Sequence, residues 1–192
     1  MFLLSRPNND QIGSFLAERR NETYSYPEAG STAGELPSGY NIDRNRLLIG
    51  HGVEDFKVGK DAVRHWQMFG FGWVQIVPKN ALIEVGTTVA ILVRHLGFYS
   101  LNSSRIVYVI DEPTRFGFAY GTLTEHGEIG EERFLVEFNE DTEEVWYDLL
   151  AFSRPGAFLA RLGYPISRYL QKCFATDSKL AMAQYVANRK RG

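Results

Sequence analysis

Between residues 105 and 152 apolar and polar positions fall into four short runs, and the breaks between them carry Pro, Gly, Asn or Asp. The runs cover 105–110, 115–123, 131–138 and 143–152. Each is rich in β-branched and aromatic residues, and such runs bounded by turn formers predict an antiparallel hairpin meander. Upstream, 45–52 predicts a strand with Leu47 and Ile49 on one face and Leu48 on the other. Strands are also predicted over 73–77, ended by Pro78, and over 87–94, opened by Gly86, while 95–102 predicts an extension or a connecting strand around Gly97. Helical spacing replaces these runs in three places. Ile12, Phe15, Leu16 and Arg19 predict a short amphipathic helix over 5–20, started by Ser5 and Pro7. Phe56, Ala62, Val63, Trp66 and Phe69 recur at three- and four-residue steps over 53–71, with Gly59 predicted to divide two short helices. Phe158, Leu159, Leu162, Ile166, Tyr169, Leu170, Cys173 and Phe174 predict one apolar face of a long helix over 155–175, started by Ser153 and Pro155 and kinked or interrupted at Pro165. A segment over 177–189 continues it with Leu180, Met182, Ala183 and Val186. Residues 21–40, punctuated by Pro27, Gly30, Gly34, Pro37 and Gly39, predict a long loop packed down by Tyr24, Tyr26 and Tyr40.

A sheet this large has a face that must be covered, and the helix beginning near Pro155 is the element long enough to cover it. The expected fold class is α+β: a curved antiparallel sheet of about six or seven strands wrapped on a long C-terminal helix, plus a short N-terminal helical segment. The expected organisation is residues 1–40 as a helix and linker packed on or capping the domain, and 41–192 as the domain itself.

Composition narrows the classes. The 21 Lys and Arg against 23 Asp and Glu leave a net charge of −2, so no global field recruits nucleic acid, and no nucleic-acid partner is expected. The 13 Phe and 10 Tyr favour a β-rich core or a pocket with large apolar walls. A single cysteine, Cys173, excludes an internal disulfide framework and fits a reducing, cytoplasmic setting. No apolar run approaches the roughly 20 residues that span a bilayer, and the first four residues lack the features of a signal peptide.

The order of elements over roughly 45–188 resembles the START-like helix-grip superfamily, which includes lipid-transfer START domains, pathogenesis-related plant allergens and polyketide cyclases. The wording of Gly117-Phe-Ala-Tyr-Gly-Thr-Leu123, His126-Gly-Glu-Ile-Gly-Glu-Glu-Arg-Phe134 and Phe152-Ser-Arg-Pro155 resembles a family described as a domain of unknown function, which supplies no catalytic residues to carry over. The superfamily resemblance implies a cavity between sheet and helix that often binds an apolar ligand; residues 1–40 fall outside the superfamily pattern, and they could cap the cavity entrance or fill it.

Several residues are candidates for that site. Gly117, Ala119 and Gly121 share one strand face that is nearly bare, which leaves room for a ligand under the long helix or lets that helix or its aromatic residues approach the backbone closely. His126, Glu128, Glu131 and Glu132 cluster in one hairpin but match no established metal spacing, so a solvated turn is expected and no metal. Arg94, Arg105 and Arg154 lie at predicted strand ends, where they could converge on a carboxylate or phosphate, or pair with neighbouring acids. Cys173 is expected as a small buried hydrophobe. The ligand-binding candidates are Arg94, Arg105, Tyr120, His126, Glu128, Tyr147 and Arg154. No nucleophile elbow, phosphate loop or dinucleotide fingerprint is present, and no cofactor is expected. The expected function is binding of a small apolar or amphipathic ligand. The alternatives are a cyclase- or hydrolase-type enzyme using Tyr120, His126 or a nearby carboxylate, and an interaction module with a filled core.

Overall fold

A computed structural model describes residues 1–95, 97–124, 128–156 and 164–189. Among these, eight strands form one antiparallel sheet. They are β1 (Phe2–Leu3), β2 (Asn41–His51), β3 (Val74–Val77), β4 (Thr88–His95), β5 (Phe98–Asp111), β6 (Arg115–Thr122), β7 (Glu128–Phe138) and β8 (Glu144–Pro155), in the order β2-β8-β7-β6-β5-β4-β3, with β1 paired to β5. Three α-helices accompany them: α1 (Asn9–Arg19), α2 (Gly52–Arg64) and α3 (Tyr164–Arg189).

Strand alternation divides the sheet into two faces. Phe118, Phe134 and Tyr147 point to the face on which α2 and α3 lie, and pack there with Phe56, Val63, Met182 and Val186. Leu101, Leu92 and Ala90 point the other way and are covered by Ile12 and Phe15 of α1. The sheet therefore grips α3 on its concave side and carries the N-terminal segment on its convex side. Polar bonds tie α3 into this grip: Tyr147 Oη and Ser178 Oγ are 2.8 Å apart, and Tyr185 Oη donates to Asp61 Oδ2 of α2 at 2.6 Å.

Several expectations change. α1 starts at Asn9 with Asn8 as its cap, not at Ser5 and Pro7, because the Asn8 side chain and Gln11 satisfy the first-turn donors. Gly59 does not divide a helix: α2 runs through it, and the absent side chain lets α2 approach β7, where a Cβ would sit 2.9 Å from Val136 Cγ1. Ser153 and Pro155 do not start a helix, because β8 extends to Pro155 against Glu128 of β7. The inner face of α3 agrees with the expected one at Met182 and Val186 and differs from it elsewhere. Ala175, Ser178, Met182 and Val186 are buried, whereas Tyr169 is 66% exposed and Leu180 51% exposed. Phe158, Leu159 and Leu162 lie outside the described residues. Pro165 stands in the first turn of α3, where a missing backbone donor costs nothing.

The N-terminal cover is held by specific anchors. Asn8 and Gln11 form a reciprocal capping box at the start of α1. At its end, the Arg105 guanidinium donates to the carbonyls of Arg19, Arg20 and Glu22 at 2.7–3.0 Å. Further on, the buried Glu131 carboxylate accepts from Tyr26 Oη at 2.7 Å, Gly30 N–H at 2.6 Å and Thr32 N–H at 3.0 Å, and from the Thr32 hydroxyl.

Candidate functional site

Between the concave face and α3 lies a cavity of about 610 Å³. Its walls are mostly apolar and aromatic. Phe69, from the short 3-10 turn after α2, stands 5.7 Å from Phe134 and 5.2 Å from Phe174 of α3, ring centre to ring centre. Trp73, Ile91, Val93 and Leu149 complete this side. Trp73 is oriented by its indole N–H, which donates to Asp177 Oδ2 of α3 at 2.8 Å.

Polar residues also line the cavity, and three groups of them are held by hydrogen bonds or ion pairs. The first is Tyr120 with Glu132, directly opposite each other on β6 and β7. Tyr120 Oη donates to Glu132 Oε2 at 2.7 Å. Burial, opposed by that hydrogen bond and reinforced by Asp43, holds the Glu132 carboxyl at about 7 rather than in the usual carboxylate range. Burial likewise drives the Tyr120 phenol well above its ordinary value. The second group gathers where β2 and β7 meet the start of α3. Arg168 grips Asp43 with bonds of 2.5 and 2.7 Å. Burial raises the Glu128 carboxyl, while hydrogen bonding to Ser167, the charge of Arg168 and hydrogen bonding to Gln171 oppose the rise. The third group is His95, whose Nε2 lies 2.8 Å from Ser100 Oγ and whose pKa is lowered by burial. Such an arrangement can hold a mostly apolar molecule and address it with a few fixed polar atoms.

A family model for a domain of unknown function, DUF1990, matches residues 25–181. The chain belongs to the DUF1990 family. Its relatives include a UPF0548 protein of Dictyostelium discoideum, 34% identical over 99% of this chain and 98% of that one. Another, from Deinococcus radiodurans, is 39% identical over 86% of this chain and 89% of the other. Among solved structures, the DUF1990 chain superposes on a hypothetical protein of Helicobacter pylori with TM-score 0.57 at 12% identity, covering 85% of this chain and 96% of that one. It also superposes on the Zhui aromatase/cyclase from Streptomyces sp. R1128, with TM-score 0.55, 16% identity and coverages of 80% and 97%, and on human STARD10, with 0.51, 11% and coverages of 97% and 84%. These likenesses establish a START-like helix-grip fold.

Of the residues singled out from the DUF1990 sequence, Tyr120 and Glu128 line the cavity. His126 lies outside the described residues. Tyr147 is fully buried in the core, bonded to α3, and does not reach the cavity. Arg105 clamps the end of α1, Arg154 lies 4.7 Å over the Tyr40 ring, and Arg94 borders a small depression beside Arg6 and Tyr99. None of the three arginines lines the cavity. The hairpin acids do not converge either: Glu128 and Glu132 border the cavity, while Glu131 turns its carboxylate to the convex side.

The bare strand face corrects a second expectation. Gly117, Ala119 and Gly121 face away from α3, and the space a Cβ of Gly121 would take is occupied by the Tyr26 hydroxyl. Aromatic residues do approach this backbone closely, but from the N-terminal segment. Asp43, Trp73 and Glu132 were not among the ligand-binding candidates. Glu132 was accessible from alternation alone, being in phase with Phe134 and Val136 on an otherwise apolar face.

Proposed function

We propose that this protein binds a small amphipathic ligand in the cavity between the sheet and α3. The apolar body would lie against Phe69, Trp73, Leu149 and Phe174, and the polar end would meet Tyr120 and Glu132, with Glu128 at the neighbouring polar cluster. The observation that carries this reading is the volume itself. A cavity of about 610 Å³ is within the range of small-molecule sites. The neighbours with the same fold, one of them named an aromatase/cyclase, support it by analogy.

Ala151 provides the test. It lines the cavity from β8, opposite Glu132, so Ala151→Phe would fill empty space without displacing packed atoms. The expected outcome is a cooperative melt like that of the wild type together with loss of binding of an apolar fluorescent probe. Native mass spectrometry of the purified wild type should show a co-purifying small molecule that the variant lacks. Wild-type protein that takes up no probe and carries no small molecule would overturn the reading.

One observation favours a second reading, an enzyme. A carboxyl near neutrality, hydrogen-bonded to a tyrosine inside a cavity, is suited to donate or accept a proton. Turnover of an aromatic or polyketide-like substrate, lost in Glu132→Gln while probe binding persists, would support it.

A further inference from the structure

The carboxylates bordering the cavity stand in different electrical surroundings. Asp43 is neutralised by its two-pronged pair with Arg168. Glu128 is held by Ser167 and Gln171 and shares the field of Arg168. Glu132 accepts one hydrogen bond, from Tyr120, and among the described residues no arginine, lysine or histidine pairs with it. The charge that acts on it is that of Asp43, of the same sign. Arg44 and Lys172 also border the cavity, but both are exposed.

An ionised carboxylate in apolar surroundings is costly until a cation joins it. Resting on the ligand-binding reading above, we propose that the cavity selects amphipathic amines, the protonated nitrogen pairing with Glu132 and the apolar body lying among Phe69, Trp73 and Phe174. An ammonium group supplies the missing partner and makes a charge-assisted hydrogen bond. The surrounding rings add a favourable face for a cation. A ligand carboxylate would meet like charge from Glu132. A neutral alcohol would find Tyr120 and the carboxyl but gain no ion pair. The elevated pKa of Glu132 reflects the same imbalance, with a proton now serving as the neutralising cation.

The test compares three ligands with one naphthalene body: 2-(1-naphthyl)ethylamine, 2-(1-naphthyl)ethanol and 1-naphthylacetate. Each is titrated calorimetrically at neutral pH into the wild type and into Glu132→Gln. In the wild type the amine should bind about tenfold to a hundredfold more tightly than the alcohol, the gain of a charge-assisted bond, and the carboxylate should bind most weakly. Glu132→Gln should erase the amine's advantage, so that amine and alcohol bind the variant with similar affinity. An alcohol or carboxylate that matches the amine in the wild type overturns the selectivity and leaves the binding reading standing. An amine preference that survives Glu132→Gln overturns the role of Glu132. Failure of all three ligands to bind overturns both. If Glu132→Gln does not fold, the ranking in the wild type decides alone.

Discussion

A carboxyl group that faces an apolar cavity with one tyrosine hydroxyl for company resists ionisation, and at Glu132 this couples folding to pH. Its folded pKa is raised to about 7 from the unfolded 4.5. Below the unfolded value both states are protonated and the stabilising contribution is complete. As pH rises the unfolded chain ionises first, so stability falls through this window and levels off above the folded pKa. Each unit of difference corresponds to about 1.4 kcal/mol. Urea unfolding at pH 5 and pH 8 should therefore show a larger loss for the wild type than for Glu132→Gln; equal losses would count against the burial of this carboxyl. Glu128 shifts in the same direction and contributes to the slope in both proteins, so the difference between them isolates Glu132. On the opposite face, Gly121 makes room for the Tyr26 hydroxyl, which is held by Glu131. Gly121→Ala should cost about 1 to 3 kcal/mol through overpacking, and the cost should shrink in a Tyr26→Leu background. The four denaturation curves of that cycle would show it.

At the scale of elements, the fully buried side chains of α3 lie mostly in its second half among the described residues. Met182 is fully buried against the concave face, so Met182→Ala should destabilise by about 2 to 5 kcal/mol. Leu180→Ala, on the exposed side, should change stability by about 0.5 kcal/mol or less. Leu170 borders the cavity, so its truncation enlarges a space already open and should cost less than that of Met182. Thermal melts of the three variants order these contributions. The helix pattern over 155–175 misled because Tyr169 lies in phase with apolar neighbours yet turns to solvent. Amphipathic spacing locates a stripe without saying which edge of it the sheet reaches. Gly59 misled for a related reason: glycine lowers helix propensity locally, and close packing on Val136 overrides that cost.

For the whole molecule, the two faces of the sheet carry separate tasks. The concave face holds the cavity and α3, and the convex face carries α1 and the anchored loop that follows it. Damage to one side should leave the other working. Phe15→Ala, which empties the contact of α1 with Leu92 and Leu101, should destabilise by about 3 to 5 kcal/mol. Below its lowered melting temperature, that variant should bind an apolar probe with wild-type affinity. Loss of binding in the still-folded protein would mean that the faces are coupled.

The meander, the strand boundaries to within a few residues except the start of β5 at Phe98, and the aromatic character of the face bearing Phe116, Phe118 and Tyr120 were legible in the sequence, because backbone alternation and turn chemistry are local. So was the order of elements that places a long helix over the sheet. The sites that give the molecule its chemistry were decided by tertiary structure. Tyr26 reaches Glu131 across 105 positions, Arg168 reaches Asp43 across 125, and Trp73 reaches Asp177 across 104. Alternation states that Gly121 and Tyr120 face opposite ways. Only the packing of distant segments determines which of them meets Tyr26 and which the cavity.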